Sequence, residues 1–224
     1  GCKLKTKKLV QGVGINDAGY VVQKNKYWIG EDGKRKQKQV EICPYYKKWK
    51  AMLERCNSKN YHKKQPTYIG CCVSEEWLTF SNFKRWMIGE QVKFKGTGSE
   101  HVFSKLQLDK DFHSLGNQLY SKETCTFLHV KVNNFIKSVD AGRGPYLIGA
   151  SWNKKDKVFM SFCNNPFTTD SEYLGCYSDE ISAHCAWKNK KNQHAEMLAM
   201  SSYVWDKDIR DKLWIRYKTT TSDL

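Results

Sequence analysis

The chain breaks at Gly142-Arg143-Gly144-Pro145, and the order of its elements changes there. Glycine ends regular elements and proline removes a backbone donor, so this stretch reads as a linker. Before it the pattern gives strand, strand and helix. After it come three strands and then helices. This points to two modules in an α+β protein, one over 1–141 and one over 145–224.

In the first module, residues 1–41 hold turn chemistry at Gly12-Val13-Gly14 and Asn16-Asp17 and read as irregular. Residues 34–38 form a basic loop, either beside phosphate or simply solvated. Pro44 suits the first turn of a helix, where its missing N–H costs nothing. Tyr46, Trp49, Met52, Leu53 and Cys56 follow at helical spacing. Residues 57–70 read as a polar loop with Lys59, Lys63 and Lys64. Trp77, Phe80, Phe83, Trp86 and Met87 form a second apolar stripe, and both stripes read as core. A connector covers 89–105. Then come a strand at 106–108, a turn at Gly116-Asn117, a strand at 125–128 and a helix over 130–138.

In the second module, strands are expected at 147–152, 157–164 and 172–177, with lysine- and asparagine-rich turns between them. Ser178 can cap the next helix. Ala183, Ala186, Trp187 and Lys190 share one face of it, and small alanines let a helix sit close on a three-stranded sheet. A last helix spans about 206–217.

Charge narrows the partner. The chain carries 38 Lys+Arg against 23 Asp+Glu, a formal net charge of +15. Such a field attracts polyanions, nucleic acid above all; a merely cationic surface is the alternative. The aromatic fraction of 13% belongs to a folded protein rather than a disordered basic tail. No apolar run is long enough to span a bilayer, and no apolar signal core follows Gly1-Cys2-Lys3-Leu4-Lys5. No membrane partner is therefore expected. Nine cysteines without a Cys-x-x-Cys pair suggest reduced thiols in a cytosol.

The chemistry concentrates in 106–139. Hydrolysing a phosphodiester calls for a cation on the phosphate, an activated water and help for the leaving oxygen. Asp109 closes the first strand in Leu108-Asp109-Lys110-Asp111, and Asn133 lies on the helix. Both offer oxygen, which suits Mg²⁺ or Mn²⁺. Spacing by itself also reads Asp109 and Asp111 as turn carboxylates and Asn133 as a surface residue.

A longer set of residues resembles the tailed-phage, homing-type HNH endonucleases. It runs through Cys43-Pro44-Tyr45-Tyr46, Trp49, Met52-Leu53, Arg55-Cys56, Pro66-Thr67-Tyr68 and Gly70-Cys71. It continues through Glu76-Trp77-Leu78, Phe80 to Lys84, Trp86-Met87, Leu108 to Asp111, Gly116-Asn117, Tyr120-Ser121 and Cys125-Thr126-Phe127. The resemblance implies a ββα-metal nuclease module with Asp109 and Asn133 as ligands of a catalytic divalent cation, acting on double-stranded DNA in the cytoplasm of an infected bacterium. Lys110 stands where that family places its histidine base; lysine is a poor base and suits phosphate better. Asp111 shares the site, and His113 and His129 are nearby substitutes. Where the family often shows Cys-x-x-Cys, this chain has Cys71-Cys72-Val73-Ser74. Cys43, Cys56 and either Cys71 or Cys72 could gather around a structural Zn²⁺ with His62 as fourth ligand, or serve as buried thiols.

The second module resembles the APETALA-type, or ethylene-response-factor, DNA-binding domain. The residues concerned are Gly149-Ala150-Ser151-Trp152, Lys157-Val158-Phe159, Tyr173-Leu174-Gly175, Ser182-Ala183 and Ala186-Trp187. The resemblance implies a three-stranded sheet that enters the major groove. Ser151, Asn153, Lys154, Lys155, Lys157, Asn164 and Tyr173 are its expected DNA contacts, with Met160 and Phe162 where the family often has Arg. The expected activity is divalent-metal-assisted cutting or nicking of duplex DNA. The rival expectation is a DNA-binding regulatory or architectural protein with a decayed nuclease site.

Overall fold

The computed structural model describes residues 8–137 and 144–218. Gly142 and Arg143 of the expected linker lie outside them. The chain is a mixed α+β protein with small sheets. It divides into two compact units, each assembled from two segments. The first comprises Gly1–Gly96 and Leu108–Thr126, the second Thr97–Gln107 and Phe127–Leu224.

The first unit opens on an element that the sequence pattern does not show. Residues expected to be irregular form an antiparallel hairpin of β1 (Gln23–Ile29) and β2 (Arg35–Ile42). The basic stretch 34–38 is therefore the end of a turn and the start of a strand. Gly33, at φ 69°, takes the left-handed conformation that this turn needs.

Next come α1 (Pro44–Asn57) and α2 (Lys59–Lys64). α1 buries the five stripe residues expected of it. α2 replaces part of the expected polar loop, because the Ser58 side chain accepts from the Tyr61 N–H and starts a new helix. After β3 (Cys72–Val73), α3 (Glu75–Leu78) and α4 (Phe80–Gly96) carry the second stripe. α4 also absorbs the first half of the expected connector.

Trp49, Met52, Leu53, Trp77, Phe80, Phe83 and Met87 are sealed from solvent and form this unit's core. The Trp49 indole N–H donates to the Trp77 carbonyl at 2.7 Å. Gly14 lies where a Cβ would come within 2.3 Å of Leu53, so only glycine fits. β4 (Gln107–Asp109) contributes its last two residues to this unit, and β5 (Leu119–Tyr120) pairs parallel with β3.

The second unit holds most of β6 (Thr126–Leu128), followed by α5 (Val130–Ile136). The strand, strand, helix order thus occurs where the pattern placed it. Beyond it, β7 (Ala150–Asn153), β8 (Val158–Asn164) and β9 (Ser171–Tyr177) make an antiparallel sheet in that order. The long helix α6 (Glu180–Ala199) packs on it, and α7 (Lys207–Ile215) packs on α6. The cap of α6 is Asp179 rather than Ser178: the Asp179 carboxylate accepts from the Ser182 N–H at 2.8 Å. Ala183 is fully buried, and the Ser161 hydroxyl donates to its carbonyl at 2.8 Å. Among the described residues no helix is long and apolar enough to cross a membrane.

Candidate functional site

In the first unit, Asp109 ends β4 and folds the next residues around its carboxylate. One oxygen accepts the N–H groups of Asp111 at 3.0 Å and Phe112 at 2.7 Å. Burial, and then the neighbouring Asp111 carboxylate, push the Asp109 carboxyl up to about 6. Two acids are thus held close on one turn.

Lys110 does not reach outward. It is buried, and its ammonium donates to the Asn117 carbonyl at 2.6 Å. The Asn117 amide returns the bond to the Lys110 carbonyl, also at 2.6 Å. Lys110 therefore closes the 110–117 loop and is not presented to phosphate as expected. The Asp111 carboxylate lies 3.5 Å from it. His113 is half-buried, edge-on to the Phe112 ring.

In the second unit, Asn133 is buried rather than a surface residue. Its amide nitrogen donates to the Gln107 side-chain oxygen, and its own oxygen is buried without a hydrogen-bond partner. His129 caps α5: its Nδ1 accepts the Lys131 N–H at 3.1 Å. A backbone N–H can only donate, so the neutral ring carries its proton on Nε2 and has no lone pair left to take another. Burial, and then His101, lower its pKa further. His101 and Tyr203, which sequence did not single out, cluster with this ring, each centroid 4.6 Å from it and 5.5 Å from the other; Tyr203 stacks on it and His101 is tilted.

The cysteines named for zinc all lie in the first unit. Cys56 and Cys71 are buried, Cys72 is exposed and Cys43 is intermediate. His62 Nε2 lies 2.7 Å from the Arg55 carbonyl. Burial pushes the Cys56 thiol up to about 12 and raises Cys71, so both stay protonated. Among the described residues no three His, Cys, Asp or Glu side chains form a group that could hold a metal ion. A second set, unseen in the sequence, joins Cys163, His194 and Glu172: the His194 ring lies 3.7 Å from the thiol and 3.4 Å from the carboxylate. Cys163 and His194 are each only 2% exposed, so this is a core network no substrate reaches.

On the β7–β9 sheet, the face away from α6 carries Ser151, Met160, Phe162, Tyr173 and Cys176 in cross-strand register. Ser151 and Tyr173 are exposed, as is Asn164 on β8. Lys154, Lys155 and Lys157 lie exposed in the β7–β8 turn. The Asn153 side chain is spent inside that turn, accepting from Lys155 and Asp156 and donating to Asp156. No family model, curated protein or solved structure matches the chain.

Proposed function

We propose that the protein is a DNA-binding endonuclease of the HNH type that cuts or nicks duplex DNA with the help of Mg²⁺ or Mn²⁺. The observation that carries this reading is the carboxylate pair of Asp109 and Asp111, with Asp109 pushed up to about 6. Two acids in mutual repulsion on a half-buried turn are what a hard cation relieves. In the second unit, taken by itself, the Asn133 amide oxygen is buried without a hydrogen-bond partner, and such an acceptor ordinarily finds a donor or an ion. In the first unit Asp109 would hold the cation; Asn133, in the second, is a ligand only as the resemblance implies. When bound, it stabilises the charge that develops on a phosphate under attack. The Asp111 and Phe112 N–H groups fix the Asp109 carboxylate in place, and the Lys110–Asn117 pair fixes the loop that presents it. Because the His129 ring is committed to its cap, His113 is the histidine we put forward as general base.

Asp109→Ala and Asn133→Ala should each abolish divalent-dependent plasmid nicking while DNA binding persists. Wild-type rates in both variants would remove the site. The reaction should also fade as pH falls through about 6, because a proton then competes with the cation for Asp109. Without divalent ions, stability runs the opposite way with pH. The folded carboxyl holds its proton to a higher pH than the unfolded one, whose ordinary value is 3.8, so stability declines as pH rises through about 6. Asp109→Asn keeps the acceptor oxygen and should recover about 2 kcal/mol at neutral pH.

A second reading is DNA binding without cleavage. The position of Lys110 favours it: a buried ammonium stands where the resembling family has its base. Duplex binding with no nicking in either cation selects this reading.

A further inference from the structure

The β1–β2 hairpin is exposed on both faces. Every residue of β2 except Ile42 is exposed, and so are Lys24, Lys26, Tyr27, Trp28 and Ile29 of β1. A two-stranded ribbon without a buried face is marginal in water, so its composition needs another reason than packing.

The cross-strand register supplies one. On one face Lys26 stands directly opposite Lys38. Like charges in that position destabilise a ladder, and a bound polyanion reverses the sign. The neighbouring cations are already matched, Lys24 with Glu41 at 2.7 Å and Lys36 with Asp32 at 3.4 Å. Among the described residues no ion pair answers Lys26 or Lys38.

The other face carries three amides among Tyr27, Ile29 and Arg35. Asn25 stands opposite Gln39, Tyr27 opposite Gln37 and Ile29 opposite Arg35. The Arg35 guanidinium rests over the Tyr27 ring at 4.5 Å, which holds its fork in a defined place. Arginine pairs with the guanine edge and asparagine or glutamine with the adenine edge in the major groove, and that groove admits a two-stranded ribbon.

We propose that the β1–β2 ribbon is a duplex-DNA reader that enters the major groove, turning Arg35, Gln37 and Gln39 to the base edges while Lys26 and Lys38 reach the phosphates. This rests on the reading that the protein binds duplex DNA, and assigns that binding to a surface of which sequence marked only the basic stretch 34–38.

The test uses the full chain and a short, fluorescent, mixed-sequence duplex, followed by anisotropy over a salt series. Lys26→Gln with Lys38→Gln should flatten the log–log salt slope by roughly 1.8, about 0.9 for each phosphate no longer neutralised, and weaken low-salt binding by on the order of tenfold or more. The same variant should melt at or above the wild-type temperature, since a like-charge pair is removed. That rules out misfolding as the cause of weaker affinity. In selection from a randomised duplex pool, Arg35→Ala, Gln37→Ala and Gln39→Ala should each relax the preference at separate positions. A wild-type slope in the lysine variant overturns the ribbon proposal and leaves DNA binding standing. A wild-type chain that shows no salt-dependent duplex binding overturns both. A wild-type chain that prefers the single strand of the same sequence overturns the groove assignment.

Discussion

The β1–β2 ribbon and the β7–β9 sheet are both antiparallel, yet they are held by different forces. The β7–β9 sheet leans on α6, where Cys163 and Ser161 are buried and the Ser161 hydroxyl bonds to the Ala183 carbonyl. Its shape is fixed by burial and needs no ligand. Its outer face is mainly apolar, with the Phe162 and Tyr173 rings 5.3 Å apart. The ribbon buries neither face and carries amides, arginine and lysine beside the exposed Tyr27, Trp28, Ile29 and Val40. The sheet therefore offers a rigid platform with cations only in its turn, whereas the ribbon offers hydrogen-bonding groups in register. A base-reading role fits the second arrangement better than the first.

The largest effect that separates them lies at Gly149. Its φ is 83°, and an added Cβ would lie 2.1 Å from Trp187 Cγ. Trp187 belongs to α6, so Gly149→Ala must push the helix off the sheet. We expect a loss of about 3 kcal/mol or more in urea unfolding, from overpacking together with backbone strain. A variant that unfolds like wild type would mean that the sheet does not depend on this packing.

A smaller effect divides the two surfaces by charge. Exchanging Lys154, Lys155 and Lys157 for glutamine should flatten the salt slope of duplex binding by at most about 2.7, the full value only if each meets a phosphate. Phe162→Ala and Tyr173→Ala should leave that slope alone, because neither ring neutralises a phosphate, and cost about 1 kcal/mol of cross-strand packing. If those two substitutions flatten the slope as much as the lysine exchange does, the apolar face is itself part of the DNA contact and the contrast with the ribbon fails.

Sequence reveals the parts of this molecule whose apolar residues repeat with a clear period. The α1 stripe, the three strands of the second sheet and α6 are legible because burial leaves that trace. The ribbon is not, since its polar residues fall on both faces and its apolar Tyr27-Trp28-Ile29 run is consecutive, leaving no alternation to see; a local sign is Asp32-Gly33, a dipeptide suited to hairpin turns. The segment after Gly89 reads as a connector because Gly89 and Lys93 suggest a break, yet α4 runs on to Gly96. The discontinuous units are hidden for another reason: residues 97–107 associate with chain beyond 127, and no composition shift records that. At the candidate site, Asp109 is legible as a strand-closing acid. The burial of Lys110 is not, because it depends on a carbonyl seven residues away.

The smallest effect is at the tip of the ribbon and tests the comparison most directly. Gly33 has φ 69°, and an added Cβ would meet nothing within 4 Å. Gly33→Ala therefore carries only the left-handed penalty, about 1 kcal/mol, with no clash. The turn it strains is closed by the Gly30 N–H on the Lys34 carbonyl and the Gly33 N–H on the Gly30 carbonyl, both at 2.9 Å. Since the strands are exposed on both faces, that penalty should open the hairpin locally. Amide exchange along β1 and β2 should quicken while exchange in α1 and α4, whose side chains form the core, stays as in wild type. Duplex affinity should fall with it, because an open ribbon must be ordered again on binding. A Gly33→Ala variant that speeds exchange in α1 would show that the ribbon is tied into the core, and that the two sheets are held by the same force after all.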